Sequence, residues 1–362
     1  MRIGIDARND RTGVGRYTFS LIRELAKLDT ESEYVLFLNR ERFEAYTAPA
    51  PNFRAVAAGV PWFTLREQVL LPRLVGRERL DLIHYPHLTV PLLSTTPFVV
   101  TVHDLNYLDA GATGSGLRHA ALRAGFRVEL AKARRARRVI AVSNHTRDQA
   151  ERALRVDAAR MAVTYEAADP PGVEPDTMVL ERHGLDVPYF LYVGAAYPYK
   201  NLGRLIDAVA GLGEGHRLVL AGDLEDFGAG LRERAEARAL GDRVVFTGAV
   251  SEAELSALYG GALAYAFVSL KEGFGLPGLE AMTAGVPVIA AHAGSLPEIY
   301  GNAARYCDPH DVDSIAEALA EVASDEELRA RLVERGHRRA GEFSWARTAE
   351  ETRAVYRDAL LH

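Results

Sequence analysis

Short apolar runs alternate with longer amphipathic stretches almost from end to end of the chain. Several runs are continuous, without the polar alternation of a half-exposed strand. Phe98–Val102 (FVVTV) and Tyr189–Gly194 (YFLYVG) are examples, and such runs predict strands buried on both faces of a parallel sheet. In the first half the pattern predicts strands at Arg2–Asp6, Tyr34–Asn39, Phe53–Ala57, Asp81–Tyr85, Phe98–Val102, Arg138–Val142 and Met161–Tyr165. In the second half it predicts Tyr189–Gly194, Arg217–Ala221, Arg243–Phe246, Leu263–Ser269, Val286–Ala290 and Ala304–Cys307. Helical patterns lie between them, at Tyr17–Leu28, Leu202–Gly211, Glu252–Gly260 and Ser314–Ala323. This βαβα rhythm supplies enough strands for two doubly wound α/β domains.

The break falls at Ala168–Asp176, ADPPGVEPD, where three prolines and a glycine exclude helix and central strand. A last helix follows from Ser344, with Trp345, Ala349, Thr352 and Tyr356 at helical spacing. The expected domains are residues 1–170 plus the C-terminal helix 344–362, and residues 171–343. Two such domains facing a central cleft would point the C-terminal ends of both sets of strands, where ligands sit, into that cleft.

A length of 362 residues agrees with two domains, and 48% hydrophobic against 25% charged residues excludes a disordered chain. The single Cys307 excludes a disulfide framework and a multi-cysteine metal site. The start, MRIGIDARND, has no apolar signal region, and no run reaches the ~18 apolar residues of a membrane span. A cytoplasmic protein is therefore the expectation. The net charge of −6 hides an asymmetry: residues 1–170 carry 25 Lys and Arg against 19 Asp and Glu, and residues 171–362 carry 18 against 30. Different partners for the two halves, or drift in surface composition, would each give this split.

The stretch richest in chemistry is Ser269–Pro297, SLKEGFGLPGLEAMTAGVPVIAAHAGSLP. Glycines at 273, 275 and 278 let backbone approach a ligand, and free N–H groups at a helix start bind phosphate. Glu272 and Glu280 flank that turn. Acids oppose phosphate but accept paired hydrogen bonds from sugar hydroxyls. A nucleotide-sugar, with a hydroxylated ring on each side of its diphosphate, suits both features. The same glycines spell G-x-G-x-x-G, but the acid that a dinucleotide site needs after the next strand is absent, since Val286–Ala291 runs into His292.

These residues resemble the retaining GT-B glycosyltransferases of family 4, whose pattern is Glu, seven residues, Glu, beginning EGFG-L-P and followed by Gly285, Pro287 and Val288 in register. The resemblance covers nearly the whole chain. It implies that Glu272 holds the donor hexose, that Glu280 holds the ribose, and that amides of Gly273, Phe274, Gly275 and Leu276 serve the sugar and diphosphate. Lys200, in GAAYPYKN after Tyr189–Gly194, would neutralise the diphosphate as it leaves. Where the family often has Arg, this chain has Ala195 and Tyr199, which would leave Lys200 as that loop's cation on the diphosphate.

In the first half the Gly13–Tyr17 segment, GVGRY, resembles the family's N-terminal glycine loop, with Gly15 near the donor phosphate and Arg16 reaching phosphate or acceptor. His103, in VTVHDLNYL, matches the histidine near the donor C6 hydroxyl and the reaction centre. His84 and His87 flank Tyr85-Pro86 and are either acceptor-side groups or structural ones. No carboxylate nucleophile is apparent, so the resemblance implies front-face substitution. The sequence Asp311-Val312-Asp313 reads as a helix cap rather than a metal ligand, and no metal and no other cofactor is expected.

Arg118–Arg138 holds eight basic residues and one acid, with Arg123, Arg127, Arg134 and Arg138 at helical spacing. A stripe of this kind suits an anionic membrane surface or a lipid-diphosphate acceptor, with Pro61–Leu65 (PWFTL) as an apolar anchor; an ordinary solvated helix face is the alternative. Neither half interleaves aromatics with a basic sheet, so nucleic acid is not expected. The expected activity is transfer of a hexose to an acceptor hydroxyl with retention, in polysaccharide or glycolipid synthesis, in the cytoplasm or docked on the inner membrane face. Residues 171–343 would bind the nucleotide-sugar and residues 1–170 the saccharide or lipid-linked acceptor. YPYKN and the Trp62/Glu67-Gln68/Pro72 stretch resemble polysaccharide mannosyltransferases, which favours GDP-mannose over a UDP-sugar. The alternatives are a hydrolase or epimerase of the same fold, or a non-catalytic nucleotide-sugar binder.

Overall fold

A computed structural model describes residues 1–9, 13–62, 64–106, 125, 127–170 and 172–361. The chain forms two units, Met1–Glu166 with Ser344–His362, and Ala167–Phe343.

The first unit is built on seven parallel strands: β1 (Arg2–Asp6), β2 (Glu33–Leu38), β3 (Phe53–Ala57), β4 (Leu82–Tyr85), β5 (Phe98–Val102), β6 (Arg138–Ala141) and β7 (Met161–Val163). Their order is β3-β2-β1-β4-β5-β6-β7. The second has six: β8 (Tyr189–Val193), β9 (Arg217–Ala221), β10 (Val244–Gly248), β11 (Ala264–Phe267), β12 (Val288–Ala291) and β13 (Ala304–Cys307), in the order β10-β9-β8-β11-β12-β13. Every strand–strand pairing is parallel, as the continuous apolar runs predict. In each sheet the order reverses beside the first strand, at β1/β4 and at β8/β11. Doubly wound sheets bind ligands outside the carboxyl ends of such a pair.

Core packing in the first unit follows the pattern. Val35, Phe37, Leu71, Val75, Ile83, Val100 and Val102 are buried in one cluster. The helix Gly13–Leu28 buries Tyr17, Leu21 and Leu25, and the C-terminal helix Trp345–Leu361 packs along it with Trp345, Ala349 and Tyr356 buried. Each such large apolar side chain contributes roughly 1.5–3 kcal/mol.

Two expectations need correction. The first helix begins at Gly13, not Tyr17, so GVGRY is its first turn rather than a loop ahead of it. Glycine disfavours helix by about 1 kcal/mol, but burial of Gly15 and Tyr17 and the bond from Thr18 Oγ1 to the Val14 carbonyl, 2.7 Å, outweigh it. The arginine stripe is not one helical face either. Arg123 lies outside the described residues, helical backbone spans 127–133, and Arg134 sits in a turn. Arg138 opens β6, where its guanidinium pairs with Asp358 of the C-terminal helix.

Candidate active site

In the second unit Lys200 and Glu272 meet at the strand-order reversal. Lys200 follows β8 and Glu272 follows β11, and these strands are hydrogen-bonded neighbours. Lys200 Nζ lies 2.6 Å from Glu272 Oε1, with both side chains largely buried. The ammonium also lies 5.0 Å and 5.2 Å from the ring centres of Tyr199 and Phe267, within cation–π range. Its loop is fixed from behind. Asn201 is buried in the left-handed region, φ 63°, and donates from Nδ2 to the carbonyls of Val268 and Pro309 at 3.0 and 2.7 Å. Leu270 N–H donates to the Tyr199 carbonyl at 2.8 Å, joining the two loops directly.

The glycine turn that follows Glu272 rests on the helix Leu296–Tyr300. Gly275 takes φ 108°, and a Cβ there would stand 2.6 Å from Tyr300 Oη and 2.7 Å from Leu296 Cδ2. A Cβ on Gly278 would meet the Tyr300 hydroxyl and ring carbons at clashing distance. Tyr300 Oη donates to the Gly275 carbonyl at 2.6 Å, and Ser295 Oγ donates to the Phe274 carbonyl at 2.9 Å. The carbonyls of the turn are thereby held on its inner side. The helix Leu276–Thr283 then starts with Pro277 in its first turn, a position that needs no N–H. Glu280 lies in this helix, half-buried, and Tyr259 Oη donates to its carboxylate at 3.4 Å. One carboxylate therefore stands at each end of the turn, with the ammonium beside the first.

The first unit places its candidates at the carboxyl ends of β1, β4 and β5. His103 Nδ1 is 2.7 Å from Glu166 Oε1, and Nε2 is 2.9 Å from the Pro86 carbonyl. A carbonyl and a carboxylate both accept, so the two bonds use an N–H on each ring nitrogen. The Tyr17 ring stands edge-on to the imidazole at 4.8 Å. Contact between Nε2 and a sugar hydroxyl would exchange the Pro86 bond.

Of the two alternatives for His84, acceptor-side or structural, the structure supports the structural one and corrects the acceptor-side one. The residue is fully buried, with Nδ1 2.7 Å from Tyr356 Oη and Nε2 2.8 Å from Thr101 Oγ1. It is a core hydrogen-bonding group that joins the C-terminal helix to the sheet. Burial, with His103 adding to it, pushes its pKa down to about 3. His87 is half-buried instead, and burial lowers its pKa to about 4. Arg16 is exposed in the first turn of its helix, beside the buried Gly15.

Asp311 caps the helix Val312–Ser324 by accepting the Asp313 N–H at 2.9 Å. Among the described residues no three His, Cys, Asp or Glu side chains group as metal ligands. No helix among them is long and apolar enough to cross a membrane.

Residues 11–170 match the family described as Glycosyltransferase Family 4, and residues 180–339 match Glycosyl transferases group 1. The chain belongs to the family 4 glycosyltransferases. It is 28% identical over 369 residues to O-antigen chain mannosyltransferase B of Escherichia coli, covering 96% of each chain. It is 25% identical to O-antigen chain mannosyltransferase RfbU of Salmonella typhimurium, covering 87% of this chain and 89% of that one. Among solved structures, HepE of Anabaena in complex with UDP and glucose superposes with TM-score 0.76 at 21% identity, covering 99% of both chains. WaaG, a glycosyltransferase of lipopolysaccharide biosynthesis, gives TM-score 0.74 at 16% identity and 98% coverage of both chains. The GT-B fold and glycosyltransferase membership follow from these matches.

The sequence placed Lys200, Glu272 and Glu280 at strand ends and a helix start. It missed that Lys200 and Glu272 touch, and that Tyr300 supports the turn. The reversal of strand order beside β8 was the available signal for the first. Nothing local marked the second.

Proposed function

We propose that this transferase moves a mannosyl group from GDP-mannose to a hydroxyl of a saccharide or lipid-linked saccharide, with retention and without a metal ion, in building a polysaccharide or glycolipid. The observation that carries the reading is the Lys200 ammonium held against Glu272 at the mouth of the glycine turn, with Glu280 at the far end. Glu280 would accept the ribose hydroxyls and Glu272 the hexose hydroxyls. Lys200 and the amides of residues 273–276 would hold the diphosphate. The bond between the anomeric carbon and the diphosphate oxygen breaks while the acceptor oxygen bonds to the same face. The acceptor proton passes to the departing diphosphate oxygen. Charge stabilisation by Lys200 supplies what a metal supplies elsewhere. His103 would orient the hexose near the reacting carbon. Full-length similarity to two O-antigen mannosyltransferases supports mannose.

The test is release of nucleoside diphosphate from GDP-mannose, UDP-glucose and UDP-galactose, with and without a mannose-terminated acceptor, and NMR of the product anomer. GDP-mannose turnover that needs the acceptor and gives an α-linkage is the expected result. Turnover without acceptor would make the protein a hydrolase, and an inverted anomer would remove the front-face route.

The first unit also carries a surface suited to an anionic bilayer at the cytoplasmic face. Leu65, Leu92 and Leu93 are 89%, 51% and 56% exposed. The Leu92 N–H donates to Gln68 Oε1 at 2.7 Å, which sets that loop beside the helix Leu65–Arg77. Arg66, Arg73 and Arg77 of this helix are exposed, so apolar side chains and positive charge occur together. Co-sedimentation with phosphatidylglycerol vesicles at low salt should exceed that with phosphatidylcholine and fall when all three leucines become Ser. Equal binding to both lipids removes the membrane from the reading.

A further inference from the structure

The first unit has its own strand-order reversal, at β1/β4, and an aromatic pair stands there. Arg8 follows β1 and is buried. Its Nε and Nη2 donate to the two Asp6 carboxylate oxygens, each at 2.7 Å. Nη2 also donates to Glu67 Oε1 at 2.7 Å, and Nη1 to the Val60 carbonyl at 2.9 Å. Asp6 and Glu67 are buried too. A buried charge cluster of this kind costs desolvation and adds little stability by itself. What it does here is hold a turn. The Arg8 guanidinium carbon lies 5.5 Å from the centre of the Trp62 ring. Thr64 Oγ1 donates to the Pro61 carbonyl at 2.9 Å and accepts the Glu67 N–H at 3.2 Å. Trp62 is therefore braced at both ends of its turn, yet it remains half-exposed.

His87 follows β4, and its ring centre is 5.5 Å from that of Trp62 at 48°. The Thr89 backbone N–H donates to His87 Nδ1 at 3.3 Å. An N–H only donates, so Nδ1 is the unprotonated nitrogen and Nε2 carries the hydrogen. That Nε2–H makes no hydrogen bond among the described residues. The neighbouring Pro86 carbonyl is the partner of His103, so the pair adjoins the histidine expected near the reacting carbon.

A pyranose ring has an apolar C–H face and a rim of hydroxyls. A fixed half-exposed indole fits the first, and a free imidazole N–H fits the second. We propose that Trp62 and His87 form the subsite for the acceptor saccharide, Trp62 stacking on a pyranose ring and His87 Nε2 donating to one of its hydroxyls, with Arg8, Asp6 and Glu67 as positioning residues. This subsite rests on the transferase reading for its purpose.

The test uses the full chain labelled with 5-fluorotryptophan at its two tryptophans, Trp62 and Trp345. Trp62→Phe assigns the two fluorine resonances. Titration with mannobiose and mannotriose should move the Trp62 signal saturably and leave that of the buried Trp345 in place. Mannitol, an open-chain polyol without a ring face, should move neither. His87→Ala should raise the half-saturating concentration about tenfold, and His87→Gln, which keeps an N–H donor, should recover most of it. A Trp62 signal that ignores both saccharides, or follows mannitol equally, overturns the subsite. No donor is present in this experiment. A Trp62 response in a protein that fails to turn over any nucleotide-sugar would sink the transferase reading and leave the saccharide site standing.

Discussion

Lys200 and Glu272 lie 72 residues apart in the chain and 2.6 Å apart in space. Each neutralises the other, so under the proposed function a nucleotide-sugar would divide them, its diphosphate taking the ammonium and its hexose hydroxyls the carboxylate. Lys200→Ala should then weaken binding of bare GDP by about 10–100-fold, the worth of a charged hydrogen bond beside a carboxylate left unpaired. Glu272→Gln releases Lys200 and should bind bare GDP as well as wild type or better, while transfer falls at least about tenfold. Calorimetry with GDP and a turnover assay check both. Equal loss of GDP affinity in the two variants would refute this division.

Glu280 stands at the other end of the turn, where only the nucleoside is expected. Glu280→Ala should lower affinity for GDP and GDP-mannose alike, by roughly 1.5–3 kcal/mol. Fluorescence competition between the two ligands reads it; a loss confined to the sugar-bearing ligand would place Glu280 on the hexose.

The glycine turn has no room for a side chain. Gly278→Ala would drive a methyl into Tyr300. Overpacking of this kind costs about 1–3 kcal/mol and should lower the Tm by about 5 °C. GDP affinity should drop with it, because the turn shifts. Scanning calorimetry with an unchanged Tm would show that Tyr300 moves aside freely.

His84, fully buried, and His87, half-buried, give the first unit an acid limit. His84 takes up a proton near its ordinary pKa of 6.5 when unfolded but only near 3 when folded. The unfolded state therefore binds more protons between those values, and stability falls as pH drops through that window. One group contributes a slope of up to about 1.4 kcal/mol per pH unit. His87, lowered to about 4, adds to the upper part of the window. Tm followed from pH 7 to pH 4 should fall less steeply in His84→Asn than in wild type, whatever the starting Tm. Parallel curves would remove His84 as the cause.

Turnover in excess EDTA should stay within about twofold of untreated enzyme, near 0.4 kcal/mol of barrier. Under the proposed function the Lys200 ammonium beside Glu272 would take the diphosphate charge, and Asp311 is used as a helix cap. Activity abolished by EDTA and restored by magnesium or manganese would contradict it.

Strand positions were legible because burial on both faces leaves an unbroken apolar run, and all thirteen strands form within two residues of the expected ends at most positions. The two glutamates were legible because their spacing lies inside one turn and one helix. Contacts between distant segments were not. His84 reads as a strand-end histidine, and only Tyr356, 272 residues away, shows why it is a core group. The start of the first helix was lost to two glycines of poor propensity, of which Gly15 is buried and Gly13 exposed. Arg134 and Arg138 kept helical spacing across a turn that carries no glycine or proline to mark it.

The bond between His84 and Tyr356 has a consequence for synthesis. The unit made first is completed by residues made much later, since Ser344–His362 packs on a sheet whose strands end at Val163. On a ribosome adding about 5–20 residues per second, the surface around Tyr17, His84 and Thr101 waits on the order of 10–40 s for its cover. Throughout that interval it is an exposed apolar face with unsatisfied polar atoms, while Ala167–Phe343 can already close. Premature termination near the C-terminus would leave a whole second unit tethered to an open first one, a species fit for chaperone capture rather than for catalysis.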